Sequence, residues 1–317
     1  MVISRRDFLK GFLAVSLLGY VDIKKLFLLG NKYNFYSKKF FSMGTYGKIC
    51  VITRDKIDFS VITKVALSKF QYLENKLTKF SDLSDIGLLN KKRSNVNVSD
   101  DTLRVLKISS LLNKETGYYF DVGVGSFLGG KNIDVSLYKV EQDLLDFNYY
   151  ENKVSILKKN FDLDLGGIGK GYAVEEVSKI LISMGIHHFY VELGGDVFVY
   201  GGLPDGNPWE INLDYGLYLE NSRPLSKNKK IYVNTGGVSS SGCISDSFVG
   251  FGSQITKNKN IINPLTFCFN NNYKFITVVG IDLSICDALS TACYNVNPKY
   301  IEEFKRSFTG YRFYVFN

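Results

Sequence analysis

Between Leu163 and Tyr172 the chain reads Leu-Asp-Leu-Gly-Gly-Ile-Gly-Lys-Gly-Tyr, with four glycines at Gly166, Gly167, Gly169 and Gly171. Glycine at this density is costly inside a helix or strand and belongs where a backbone turns sharply or is closely approached. The flanks say what the turn joins. Upstream, Lys153 to Leu165 alternates in the manner of a β-hairpin; downstream, Tyr172 to Met184 has helical spacing that Gly185 ends. Backbone N–H groups at such a turn face, with the helix dipole, toward an anion, and Lys170 adds a mobile positive charge. Phosphate is the natural partner, although the same glycines serve equally as a tight turn with no ligand. Two familiar phosphate loops are excluded. Asp164 stands five residues before Gly169 and Gly171 follows Lys170, which breaks the Walker pattern, and Tyr172 takes the last position of G-x-G-x-x-G.

Helical spacing recurs over 58–78, through Phe59, Ile62, Val65, Ala66, Phe70, Leu73 and Leu77. Ser99, Asp100 and Asp101 cap another helix that carries Leu103, Leu106, Leu111 and Leu112. Two more are predicted around 284–295 and 298–307. Strands are predicted at 40–53, with an early glycine bend, and at 188–193, 196–201, 209–215, 230–240, 273–281 and 310–316. Strands interspersed with helices in this way predict an α+β fold of mixed, mostly antiparallel sheets with packed helices. A seam near 130–152 divides it into two lobes of one fold. The composition, 45% hydrophobic with five prolines in 317 residues, excludes a disordered or collagen-like chain. The net charge of +8 is scattered, which suits anionic ligands or membrane surfaces and excludes the clustered charge of a nucleic-acid module. Cys50, Cys243, Cys268, Cys286 and Cys293 contain no C-x-x-C, so no zinc or dithiol site is expected.

At the N-terminus, Ser4-Arg5-Arg6-Asp7-Phe8-Leu9-Lys10 precedes an apolar stretch from Gly11 to Gly19, the pattern of a twin-arginine export signal. No Ala-x-Ala follows, so residues 1–30 are read as a signal or as an uncleaved N-terminal anchor. Either reading places the protein in the periplasm or cell envelope, with inner-membrane association open. Residues 31–39 read as a polar linker and 40–317 as the folded domain.

A second constellation is Cys286-Asp287-Ala288-Leu289-Ser290-Thr291-Ala292, where Asp287 and Thr291 share a helical face. Their carboxylate and hydroxyl are two hard oxygen ligands of the kind magnesium takes alongside waters and phosphate. A capped helix with a back-bonded threonine accounts for the same residues. Asp287 is expected to be exposed and to matter little for stability.

Taken in order, Met43-Gly44-Thr45, Phe120-Asp121-Val122-Gly123-Val124-Gly125, Asp164 to Ala173, Leu193-Gly194-Gly195-Asp196, Pro208-Trp209, Ser240-Ser241-Gly242 and Asp287 to Ala292 resemble the ApbE family of FAD:protein FMN transferases, also called flavin-trafficking proteins. The similarity runs over about residues 40–317. It implies an ApbE-like fold and an exported, magnesium-dependent enzyme that splits FAD, attaches FMN to a Ser or Thr of an exported or membrane redox protein, and releases AMP. It further implies a metal held by Asp287, Thr291 and the Gly167 carbonyl, with Met43, Phe80, Tyr119, Phe120, Asp121, Asp164, Lys170 and Ile261 along the FAD. The flavin ring is expected beside both Met43 and the Tyr119–Asp121 turn, with Phe80 stacked on it. Lys170, Asp287 and position 260 would carry the chemistry. There the chain departs from the family's His-Ile-Ile-Asp-Pro, reading Asn260-Ile261-Ile262-Asn263-Pro264. An amide cannot act as a base near neutral pH as an imidazole can. A flavin carrier or FAD hydrolase without the transfer step is therefore the alternative. His187 and His188 are the only histidines and head a predicted strand.

Overall fold

Strand β1 (Asn34–Ser42) returns as β2 (Thr45–Thr53) through a two-residue turn in which Met43 has φ +50° and Gly44 φ +74°. Positive φ at both central residues matches the twist of a tight hairpin. This computed structural model describes residues 32–128, 139–158, 161–213, 230–242, 261–270 and 272–316. The twin-arginine segment and Asn260 lie outside them. Residues 34–39, expected in a linker, instead form the first two thirds of β1 and pair with Lys48 to Thr53. The cause is that β1 is an edge strand with one neighbour, and outward lysines such as Lys38 and Lys39 are ordinary there.

The main sheet has seven strands in the order β1-β2-β6-β7-β10-β11-β12, every pairing antiparallel. Its remaining members are β6 (Phe189–Leu193), β7 (Asp196–Tyr200), β10 (Gly236–Gly242), β11 (Phe275–Gly280) and β12 (Arg312–Phe316). On one face lie α1 (Phe59–Leu77), α2 (Asp85–Lys92), α3 (Asp100–Glu115), the short α4 (Gly125–Leu128), α5 (Gly169–Ser183), α6 (Leu283–Asn295) and α7 (Ile301–Ser307). The other face is covered by a ribbon of β8 (Trp209–Asn212) and β9 (Lys230–Val233), with Trp209 fully buried against Tyr190. The fold is α+β with antiparallel sheets, as expected.

A small sheet, β3-β5-β4, joins β3 (Val96–Asn97), β4 (Leu145–Asn148) and β5 (Lys153–Ile156). Residues 153–165 are therefore not a hairpin of their own. Their first four residues pair with β3 and β4, and Phe161 to Leu165 runs on without a ladder. Val96, Leu145, Val154 and Ile156 join the same apolar core as Val191, Leu193, Ile276 and Leu289 of the main sheet and α6. The small lobe is thus welded to the large one.

Candidate active site

The glycine turn opens directly into α5, whose N-cap, Ile168, supplies no side-chain acceptor. The first-turn amides must find partners elsewhere. Gly171 N–H donates to Asp287 Oδ2 at 2.9 Å, from α5 to α6. A Cβ on Gly171 would lie 2.7 Å from the Asp287 Cβ and from the Leu283 carbonyl, so glycine is what lets these two helices touch. Asp287, expected to be exposed, is buried. Its helix packs this face against α5 and β10, which the isolated i,i+4 pattern could not reveal.

Lys170 projects from the same turn of α5 and places Nζ 2.8 Å from Asp196 Oδ2 and 3.7 Å from Asp287 Oδ2. Asp196 opens β7, and its Oδ1 accepts from the Ser239 hydroxyl at 2.5 Å. Burial, and then the neighbouring Asp196 charge, push the Asp287 carboxyl up to about 7, against the opposing pull of Lys170 and the Gly171 amide. Burial works to lower the Lys170 ammonium's pKa, but Asp196 and Asp287 outweigh it and hold it above its ordinary value. Two buried carboxylates share one ammonium, leaving an excess of negative charge that a cation would relieve.

One turn along α6, Thr291 Oγ1 lies 3.1 Å from Ser241 Oγ. A Cβ on Gly167 would fall 3.1 Å from that Thr291 oxygen and 3.3 Å from the Phe120 ring. Gly167, Thr291 and Asp287 therefore border one space. Among the described residues no group of three or more His, Cys, Asp or Glu is placed to hold a metal ion. A cation here would be a hard one held by mixed carboxylate, hydroxyl and carbonyl oxygens, and the local charge excess fits it. A further turn on, Asn295 Nδ2 donates to Tyr119 O and Ile262 O, clipping together two loops that line the same space, while its buried Oδ1 has no partner.

These groups line a cleft of two chambers. The first, about 500 Å³, is bordered by Tyr119, Phe120, Asp121, Gly167, Ile261, Asp287 and Thr291. The second, about 440 Å³, is bordered by Met43, Gly44, Glu74, Leu77 and Gly169. Lys79, Phe80, Asp164, Gly166 and Lys170 border both and form the waist. Met43 and the Tyr119–Asp121 turn, expected around one ring, thus line different chambers. The reason is that the Met43 turn packs by α1 and the glycine loop, whereas Asn295 ties Tyr119 toward α6. Phe80 lies at the waist, 90% exposed, with the Lys79 ammonium 5.2 Å from its ring. Asp164 Oδ1 accepts from Gly166 N–H at 2.7 Å and its Oδ2 pairs with Lys79. Asp121 caps the turn Val122–Val124 by accepting from Gly123 N–H.

Asn263 is used structurally: its amide donates to Asn295 O and accepts from Leu265 N–H. His188 is turned toward the Gly201 and Gly202 carbonyls, and neither histidine borders the cleft. Asp196, Ser241, Lys79 and Asn295 were not among the expected site residues. Asp196 and Ser241 lie inside motifs the sequence displays, and Asn295 continues the Asp287, Thr291 stripe at the next i+4. Nothing in the sequence marks Lys79.

The ApbE family profile matches residues 43–314. A curated FAD:protein FMN transferase of Haemophilus influenzae is 24% identical over 242 residues, 68% of this chain and 66% of that protein. One of Vibrio cholerae is 25% identical over 55% of this chain and 57% of its own length. The matched region thus spans between about half and two thirds of these relatives. Among solved structures, an ApbE protein from Thermotoga maritima superposes with a TM-score of 0.73 at 22% identity, covering 89% of this chain and 94% of that one. A flavin transferase ApbE from Vibrio cholerae has a TM-score of 0.73 at 20% identity, covering 90% and 98%. With the profile matching most of the chain, every motif except Pro208-Trp209 bordering the cleft and the fold shared along nearly the whole described chain, this chain belongs to the ApbE family.

Proposed function

We propose that the protein is an FAD:protein FMN transferase that moves FMN from FAD to a Ser or Thr hydroxyl of an exported or membrane redox protein and releases AMP. The observation that carries this reading is the waisted cleft. Each chamber offers apolar or aromatic wall to a planar ring system, Tyr119, Phe120 and Ile261 in one and Met43, Leu77 and Phe80 in the other. The waist between them gathers the glycine turn and two lysines, which suits a pyrophosphate joining two such halves.

In the transfer the acceptor hydroxyl oxygen bonds to the flavin-side phosphorus, the bond from that phosphorus to the bridging oxygen breaks, and AMP departs with that oxygen. The hydroxyl proton passes to solvent or to the departing phosphate. Chemistry of this kind rests on positioning and charge neutralisation. Lys170, held by Asp196 and Asp287, sets an ammonium at the waist; the glycine turn admits phosphate oxygens close to the backbone; Asn295 fixes the spacing of the Tyr119 and Ile262 walls. Asp287, Thr291 and the Gly167 carbonyl would hold magnesium, which when bound supplies further positive charge against the pyrophosphate.

A second reading, an FAD-binding carrier or hydrolase, is favoured by Asn263, whose amide serves a turn where the family has a carboxylate. Incubation with FAD, magnesium and a threonine-containing acceptor peptide, followed by mass spectrometry, decides between them. A peptide carrying FMN together with free AMP supports the transferase; AMP with an unmodified peptide supports the hydrolase; intact FAD supports the carrier.

A further inference from the structure

Lys79 stands just beyond the C-cap of α1, and its Nζ lies 2.6 Å from Asp164 Oδ2. Of the two lysines at the waist, Lys170 is committed to Asp196 and Asp287, while Lys79 has this one carboxylate. An ammonium has three donors, so a single ion pair leaves capacity for a ligand oxygen. The Phe80 ring centroid lies 5.2 Å from the ammonium, and both residues border both chambers. Asp164 is itself held by Gly166 N–H, so Lys79 is anchored to the loop beside which an anion would sit. Counting the carboxylates of the two chambers, Asp121, Asp164, Asp287 and Glu74, against Lys79 and Lys170 leaves the cleft negative, and an anionic ligand entering it needs every cation available.

We propose that Lys79 is a phosphate-binding residue at the waist of the cleft, reaching a phosphate oxygen of the ligand while Asp164 holds it in place. It makes the cleft select phosphorylated flavins over uncharged ones. This rests on the FAD reading above and adds a residue that the motifs do not mark. The competing role is purely structural, with Lys79 locking Asp164 and so shaping the glycine turn for any ligand.

The two roles separate by comparing riboflavin, FMN and FAD in fluorescence titrations of the full chain, wild type against Lys79→Met, Lys79→Arg and Asp164→Asn, with circular dichroism as the folding control. Lys79→Met is expected to weaken FMN and FAD about tenfold, the scale of one charge-assisted hydrogen bond, and riboflavin less than twofold. Lys79→Arg should recover most of the loss. Inorganic pyrophosphate, competing against FAD, reads the same contact without a ring, and its inhibition constant should rise by a similar factor in Lys79→Met. Equal weakening of riboflavin and FAD, matched by Asp164→Asn, would overturn the proposal in favour of the structural role, as would unchanged FAD and pyrophosphate affinities in Lys79→Met. In both cases wild-type FAD binding leaves the transferase reading standing. Absence of FAD binding by the wild type overturns that reading and this one together.

Discussion

Lys170, Asp196 and Asp287 form a unit whose members cannot be removed with equal consequence. Lys170→Met leaves two buried carboxylates facing each other without their ammonium, and breaking a buried ion pair in this way costs about 3–5 kcal/mol. Urea unfolding should show that loss, and AMP release from FAD should fall about a hundredfold or more. Asp287→Asn behaves differently. The amide oxygen still accepts from Gly171 N–H, so the melting temperature should stay within a few degrees of wild type while magnesium-dependent AMP release is lost. Asp287→Ala should lose AMP release and also about 1–3 kcal/mol of stability, because the buried Gly171 amide is left unpaired. If Asp287→Asn released AMP at the wild-type rate, Asp287 would not be part of the reacting site.

Among the elements, α2 is set by a residue whose importance is invisible in one dimension. Asp85, buried at the start of α2, accepts from Ser99 N–H, Ser99 Oγ and Thr102 Oγ1 at the head of α3, and pairs with Lys76 of α1. Burial works to raise its carboxyl, but the Ser99 amide and hydroxyl, the Thr102 hydroxyl and Lys76 outweigh it and hold the group below its ordinary range. A depressed carboxylate contributes stability that is complete above the unfolded value near 3.9 and is lost as pH falls through the lower folded value. Asp85→Ala should therefore cost about 2–4 kcal/mol at pH 7, and the gap to wild type should narrow only below about pH 4. A gap unchanged at pH 3 would contradict the assignment. The sequence displayed α1 and the Ser99 cap because 19 and 16 residues sustain a helical period, whereas the eight residues of α2 span barely two turns. It likewise showed Asp287 and Thr291, neighbours on one helix, but not Lys79 with Asp164, which lie 85 residues apart. The β1 edge strand read as a linker because an edge carries lysines as a linker does.

At the scale of the whole molecule, the expected export route and the cleft lead to separate tests. Arg5 and Arg6 both changed to Lys should retain the protein in the cytoplasm on cell fractionation, while the wild type reaches the envelope; equal distribution would discard the twin-arginine reading. Among the described residues no helix is long and apolar enough to cross a membrane.

The cleft lies where α1, the glycine turn and α6 converge on a single core, so a ligand filling both chambers braces the molecule as a unit. Saturation at a hundredfold excess over the dissociation constant stabilises by about 2.7 kcal/mol, which for a chain of this size is a rise in melting temperature of about 4 °C. FAD with magnesium should give such a rise. FMN and AMP together, each at the same concentration as FAD, should give less, because two separate molecules lose translational and rotational freedom twice where a joined pair loses it once. That difference depends on the two halves occupying the chambers at the same time. If FMN plus AMP matched FAD at equal concentration, or FMN alone did, the ligand would be engaging one chamber, and the waist would not be where its pyrophosphate lies.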